Sequence, residues 1–198
     1  MKTEKLLSKP LCITLLSLAF IYGVALPFFW GNNPTLSTGT LSLLCEERKL
    51  YFWAWSTLSS LGVTLNIQYM YKKYGYKNKL LDFLCVMAII SACLIALTLG
   101  HPTDSWNPKR IVHWVSTGLF VVFLFAPVEL FFLINLKKYK HFKLLTFCVL
   151  SILLVFLGIF IFIGKSGLME MIPLAMLEVF LFVVNFVLGA QTAEPKKE

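Results

Sequence analysis

Long apolar runs broken by short polar turns set the rhythm of this chain. Leu11–Trp30 is about as long as the roughly 20 residues needed to cross a bilayer core. Similar runs recur at 50–71, 80–99, 111–136, 144–163 and 171–190. The pattern predicts an all-α fold: one domain over 1–198, a bundle of six transmembrane helices. Several polar breaks carry turn-forming residues, such as Gly75 in KKYGYKNK and Gly164 and Gly167 in GKSG. The first run lacks a small-residue cleavage site, so it reads as a retained helix rather than a signal peptide. The longest break, residues 31–48, holds a further apolar patch at Leu41–Cys45, which is expected to dip into the interface. Within the second run Ser59, Gly62 and Asn66 recur at three- and four-residue spacing, placing them on one face. Such a face lets a neighbouring helix approach closely.

Composition agrees with the pattern. Of 198 residues, 58% are hydrophobic and 14% charged, with a mean hydropathy of +0.78; soluble domains hold about 25% charged residues. The net charge of +8 raises nucleic acid as a partner. The basic residues, however, sit in short turns between apolar runs, not on one face of a domain, so nucleic acid is not expected. They report orientation instead. With the N-terminus inside, 13 lysines and arginines fall inside and 5 outside, so both termini are expected in the cytoplasm. The plasma membrane is the expected location. Membrane lipids are the expected partners, and a homo-oligomer is compatible with the pattern.

Five cysteines are present: Cys12, Cys45, Cys85, Cys93 and Cys148. Only Cys45 lies in a loop, so no internal disulfide is expected outside the membrane. The four in apolar runs read as small buried hydrophobes. No CxxC or Cys/His ligand spacing occurs, and neither metal nor cofactor is expected.

Polar residues inside apolar runs are expensive and mark candidate sites. Glu129 and Glu178 each cost about 2.5–3.5 kcal/mol if charged at a helix centre. Either they mark a ligand or proton site, or they are neutral carboxyls that glue helices together. Glu178 shares a stripe with Ala175, Asn185 and Gly189 and is expected to face the bundle interior; Asn66 is the corresponding polar residue of the second helix. His113 opens the fourth helix, with Thr117 one turn on. It is either a proton carrier, ligand or base, or an interfacial histidine bonded to headgroups. Asp104, Arg110 and Glu170 lie at the outer ends of the runs and complete the ligand-binding candidates. His113 and Glu129 are 16 residues apart, about 24 Å along one helix, and cannot share a site. His113, Asp104 and Glu178 are the more plausible grouping, if the fourth and sixth helices are neighbours.

GHPTD, then VHWVSTGLFVVFLFAP, then GLMEMIPLAMLEVFLF resemble the prokaryotic family called domain of unknown function 998. The resemblance implies six-helix membrane proteins with a Pro-Asp-like outer loop. The matching positions are Pro102, Asp104, His113, Glu170 and Glu178. The layout is also similar, more loosely, to the Frag/DRAM/Sfk family, which implies a link to lipid handling. The leading expectation is a membrane protein that binds a lipid or amphipathic ligand near its outer face, or organises membrane components. The alternatives are a lipid-modifying hydrolase using His113 with Asp104 or Glu178, and a proton-coupled transporter using Glu129 and Glu178.

Overall fold

The structure is a computed structural model that describes residues 7–36, 39–99 and 107–188. Among these residues the chain is all helical. Helix α1 (Lys9–Ala25) runs into a 3-10 segment, Leu26–Gly31. A short helix α2 (Leu41–Leu44) follows. Then come α3 (Lys49–Lys73), α4 (Lys79–Leu97), α5 (Pro108–Ile134), α6 (Phe142–Phe162) and α7 (Gly167–Phe182). A π-helical turn, Val183–Val187, ends the described chain.

Polar caps fix where helices start, each side-chain oxygen accepting backbone N–H groups that the first turn leaves unpaired. Asn78 Oδ1 accepts from Leu80 N at 2.9 Å and caps α4. Asn107 Oδ1 accepts from Lys109 N at 3.0 Å and caps α5, with Pro108 at the first helical position. Ser166 Oγ accepts from Met169 N and caps α7. These caps lie before the apolar runs, so α5 and α7 begin three or four residues earlier than the runs suggest.

Five spans are long and apolar enough to cross a membrane: Lys9–Gly31, Lys79–Leu97, Pro108–Ile134, Phe142–Phe162 and Gly167–Val187. By length and composition the chain is a multi-pass helical membrane protein. Helix α3 has the length but is diluted by serine, threonine, asparagine and glutamine. Its position explains the dilution. It packs against α1, α4 and α7, with smaller contacts to α5, and 12 of its 25 residues are buried. Helix α6 is the opposite case: Phe147, Leu154, Phe160 and Phe162 are all exposed large apolar residues, suited to acyl chains.

The helices form a ring in which α1–α3, α3–α4, α4–α5, α5–α6, α6–α7 and α7–α1 are packed pairs. The face Ser59, Gly62, Asn66 is buried, and Gly62 shows why it needs small residues. A Cβ added there meets Leu15 O at 3.1 Å and Ala19 Cβ at 3.3 Å. The two ends differ. At one, residues 26–36 and 39–48 fold over the bundle as a cap. At the other, Tyr71, Tyr74, Tyr76, Phe131, Tyr139 and Phe142 cluster with ring centroids 4.4–5.7 Å apart.

The cap is tied to the start of α7. Leu168 N donates to Pro34 O at 3.1 Å, and Leu41 N donates to Glu170 Oε2 at 2.6 Å. Leu41 and Cys45 are fully buried in the core, which corrects the expectation that this patch dips into the interface: the protein itself supplies the apolar cover. Trp30 adopts φ +58, and its ring carries the Arg48 guanidinium at 4.4 Å and the edge of Tyr51 at 5.0 Å. The cysteines also divide: Cys12, Cys45 and Cys85 are buried, whereas Cys93 is exposed and Cys148 half-buried. Cys93 therefore is not the buried filler the sequence suggests.

Candidate functional site

Two polar features stand out, one at the capped end and one inside the bundle. At the capped end Arg110, in the first turn of α5, lies 5.0 Å from the ring centre of Trp114, one turn along the same helix. Lys165, from the turn before α7, lies 5.6 Å from the same ring. Trp114 itself is exposed. Two cations on different elements thus converge on one exposed indole. Glu170 lies five residues beyond Lys165 but turns to the cap, bonding Leu41.

His113 points the other way. It is buried, with Nδ1 3.2 Å from Thr98 Oγ1 at the end of α4. Thr117 Oγ1 donates to His113 O at 2.8 Å. Asp104 and Pro102, and Gly189 of the Glu178 stripe, lie outside the described residues. Helices α5 and α7 each pack along α6 rather than extensively along each other. The fold therefore brings His113 to α4, whereas α7, which carries Glu178, packs on α1, α3 and α6. Glu129 is half-buried on α5, with Oε2 inaccessible and without a hydrogen-bond partner. Among the described residues no three His, Cys, Asp or Glu side chains gather as metal ligands.

The internal feature is a polar seam between α3 and α7. These helices run in the same direction. The start of α7 meets the cap that precedes α3, and Lys73 at the end of α3 donates to the carbonyls of Val184, Asn185 and Leu188 at 2.5–3.0 Å. One turn or two above, Asn185 Nδ2 donates to Asn66 O at 2.9 Å and Oδ1 at 3.2 Å. Asn66 Nδ2 in turn donates to Cys12 O on α1 at 2.9 Å and to Gly62 O at 2.8 Å. Three helices meet through one side chain.

This contact fixes the register. Seven residues back along α3, close to two full turns, stands Ser59 on the face of Asn66; Glu178 stands seven residues before Asn185, on α7 ahead of the π turn. At 1.5 Å per residue Ser59 lies about 10.5 Å from Asn66 along α3, and Glu178 lies at a similar depth, about 10 Å. Ser59 is 0% exposed and Glu178 2%. Ser59 Oγ and Glu178 Oε1 are both buried without a hydrogen-bond partner, as is Trp55 Nε1 one turn further toward the cap. Buried polar groups are normally satisfied, so these three atoms are exceptional. The Glu178–Asn185 stripe was readable from spacing. Ser59 read only as a small residue, because nothing in a single sequence aligns α3 with α7. The chain matches no family model, no curated protein and no solved structure.

Proposed function

We propose that this is a six-span integral membrane protein with both termini in the cytoplasm, which holds an anionic lipid headgroup at its outer face between Arg110, Lys165 and Trp114. In this reading α3 is the sixth crossing, its polar residues covered by α1, α4 and α7. The capped end is outside and the lysine-rich turns are inside, which the distribution of positive charge supports. The plasma membrane is the location that fits this charge bias, and membership of the domain of unknown function 998 family, with its six-helix layout, is part of the same proposal.

The observation that carries the lipid reading is the convergence of Arg110 and Lys165 on exposed Trp114. A guanidinium offers a planar fork suited to phosphate oxygens, and an ammonium adds a point charge. Tryptophan belongs at the headgroup level, where its ring is half in hydrocarbon. Lipid mass spectrometry on protein purified in mild detergent tests this. An anionic phospholipid should co-purify with the natural protein and be lost from the Arg110→Gln, Lys165→Gln double variant. Equal retention by both proteins, or no bound anionic lipid in either, would overturn it.

A further inference from the structure

We propose that Glu178, with Ser59 in the same layer of the bundle, forms a proton-binding site in exchange with solvent. Glu178 is 2% exposed and its Oε1 has no hydrogen-bond donor; Ser59 Oγ is fully buried and equally unpartnered. A carboxylate so placed requires a positive partner. The elements packed on α7 are α1, α3 and α6. Within the span they bring the titratable groups Cys12 and Tyr22, Tyr69 and Tyr71, and Cys148, none of them a cation. Their lysines, such as Lys9, Lys73 and Lys143, stand at helix ends; Lys73 is two polar layers away, about 21 Å along α3 at 1.5 Å per residue, and is engaged by the end of α7.

Space decides among the cations. One turn from Ser59, α1 and α3 approach so closely that a single Cβ on Gly62 would crowd Leu15 O at 3.1 Å. Leu16, Ala19, Val63, Leu177 and Leu181 pack the surrounding core at 1% exposure or less. An organic ammonium has no room. A hard metal ion takes roughly six oxygen ligands, and this layer offers the Ser59 hydroxyl and one carboxyl. The proton is the cation that fits. Intramembrane carboxyls of this kind mark proton relays, and the Asn66–Asn185 layer, followed by Lys73, gives the site polar neighbours toward the lysine-rich end. The site is separate from the Arg110–Lys165 patch and stands or falls without it.

A hydrophobic carbodiimide tests the proposal on the full chain in micelles. The reagent reacts with a protonated carboxyl: the proton passes to one carbodiimide nitrogen, the carboxyl oxygen adds to the central carbon, and the adduct rearranges to an N-acylurea with nothing leaving. Dicyclohexylcarbodiimide should label Glu178, read by peptide mass spectrometry. Labelling should fall at least roughly tenfold as pH rises from about 5 to about 9, following one titrating group. Ser59→Ala should keep the label but displace the midpoint, and Glu178→Gln should lose it while melting like the natural protein. Three results would overturn the proposal: no label on Glu178 at any pH, labelling that does not vary with pH, or protection by sodium ions at constant pH, which would make the occupant a metal ion.

Discussion

The side-chain amide of Asn185 bonds both oxygens of Asn66, at 2.9 and 3.2 Å, across 119 residues of sequence. Because Asn66 also bonds Cys12 O, this one contact locks α1, α3 and the end of α7 in register. Interhelical polar contacts in membranes contribute about 0.6 kcal/mol on average and at most about 1.7. Asn185→Leu, which also leaves Asn66 Oδ1 without its donor, should destabilise the protein by about 1–2 kcal/mol. Unfolding in one detergent at one lipid ratio measures this; an unchanged midpoint would show that the pair adds nothing.

Two glycines make opposite predictions. Gly62→Ala places a methyl against Leu15 O and Ala19 Cβ and should cost about 1–3 kcal/mol by overpacking. Gly118→Ala meets nothing within 4 Å and should be neutral or stabilising by up to about 1 kcal/mol, from helix propensity. Parallel thermal melts compare them, and equal effects would remove the close α1–α3 approach from the explanation.

The cap can be read through Cys45. Burial, and then the Glu170 charge, push its thiol up to about 11, and thiolate is the reactive form. Iodoacetamide at about pH 8 should therefore alkylate Cys45 at least roughly tenfold more slowly in the folded protein than after unfolding. Glu170→Ala removes the acceptor for Leu41 N and should speed the reaction by loosening the cap. The charge loss alone also favours thiolate, so proteolysis of residues 31–48 is the companion measurement. A cap that stays resistant in the variant would show that Glu170 does not hold it.

Orientation is testable with single cysteines in a background lacking the natural five. In intact cells a membrane-impermeant maleimide should label Lys109→Cys, whereas Lys77→Cys should require permeabilisation. The reverse pattern would invert the topology.

The helices were legible because lipid demands long apolar runs: each of the six predicted runs falls on a helix, and five of them are apolar enough to cross a membrane. Their ends were less so. The run 171–190 becomes α7 plus a π turn beginning at Gly167, since Ser166 sets the start by hydrogen bonding and not by hydropathy. The first run ends early because the chain leaves α1 through a 3-10 segment to Trp30, whose positive φ no apolar pattern announces. Glu178 and Asn185 were visible as a buried stripe. Glu170 was visible as a candidate, but its partner is a backbone N–H 129 residues away, and a backbone donor has no sequence signature. Trp114 was passed over because tryptophan at a membrane interface is unremarkable until two cations gather on it.

The amphipathic poverty of α3 has a consequence for biosynthesis. Asn66 finds one acceptor, Cys12 O, in a helix already made when α3 emerges. The donor for its own oxygens arrives only with Asn185, in the last described turn of the chain. An α1–α3 hairpin is therefore the earliest unit that can shelter the least lipophilic helix, while its remaining polar valence waits for the turn that follows α7. A ribosome that stops before α7 leaves α3 exposed on its polar side. A chain lacking α7 and the turn after it therefore keeps the Asn66 oxygens without their side-chain donor.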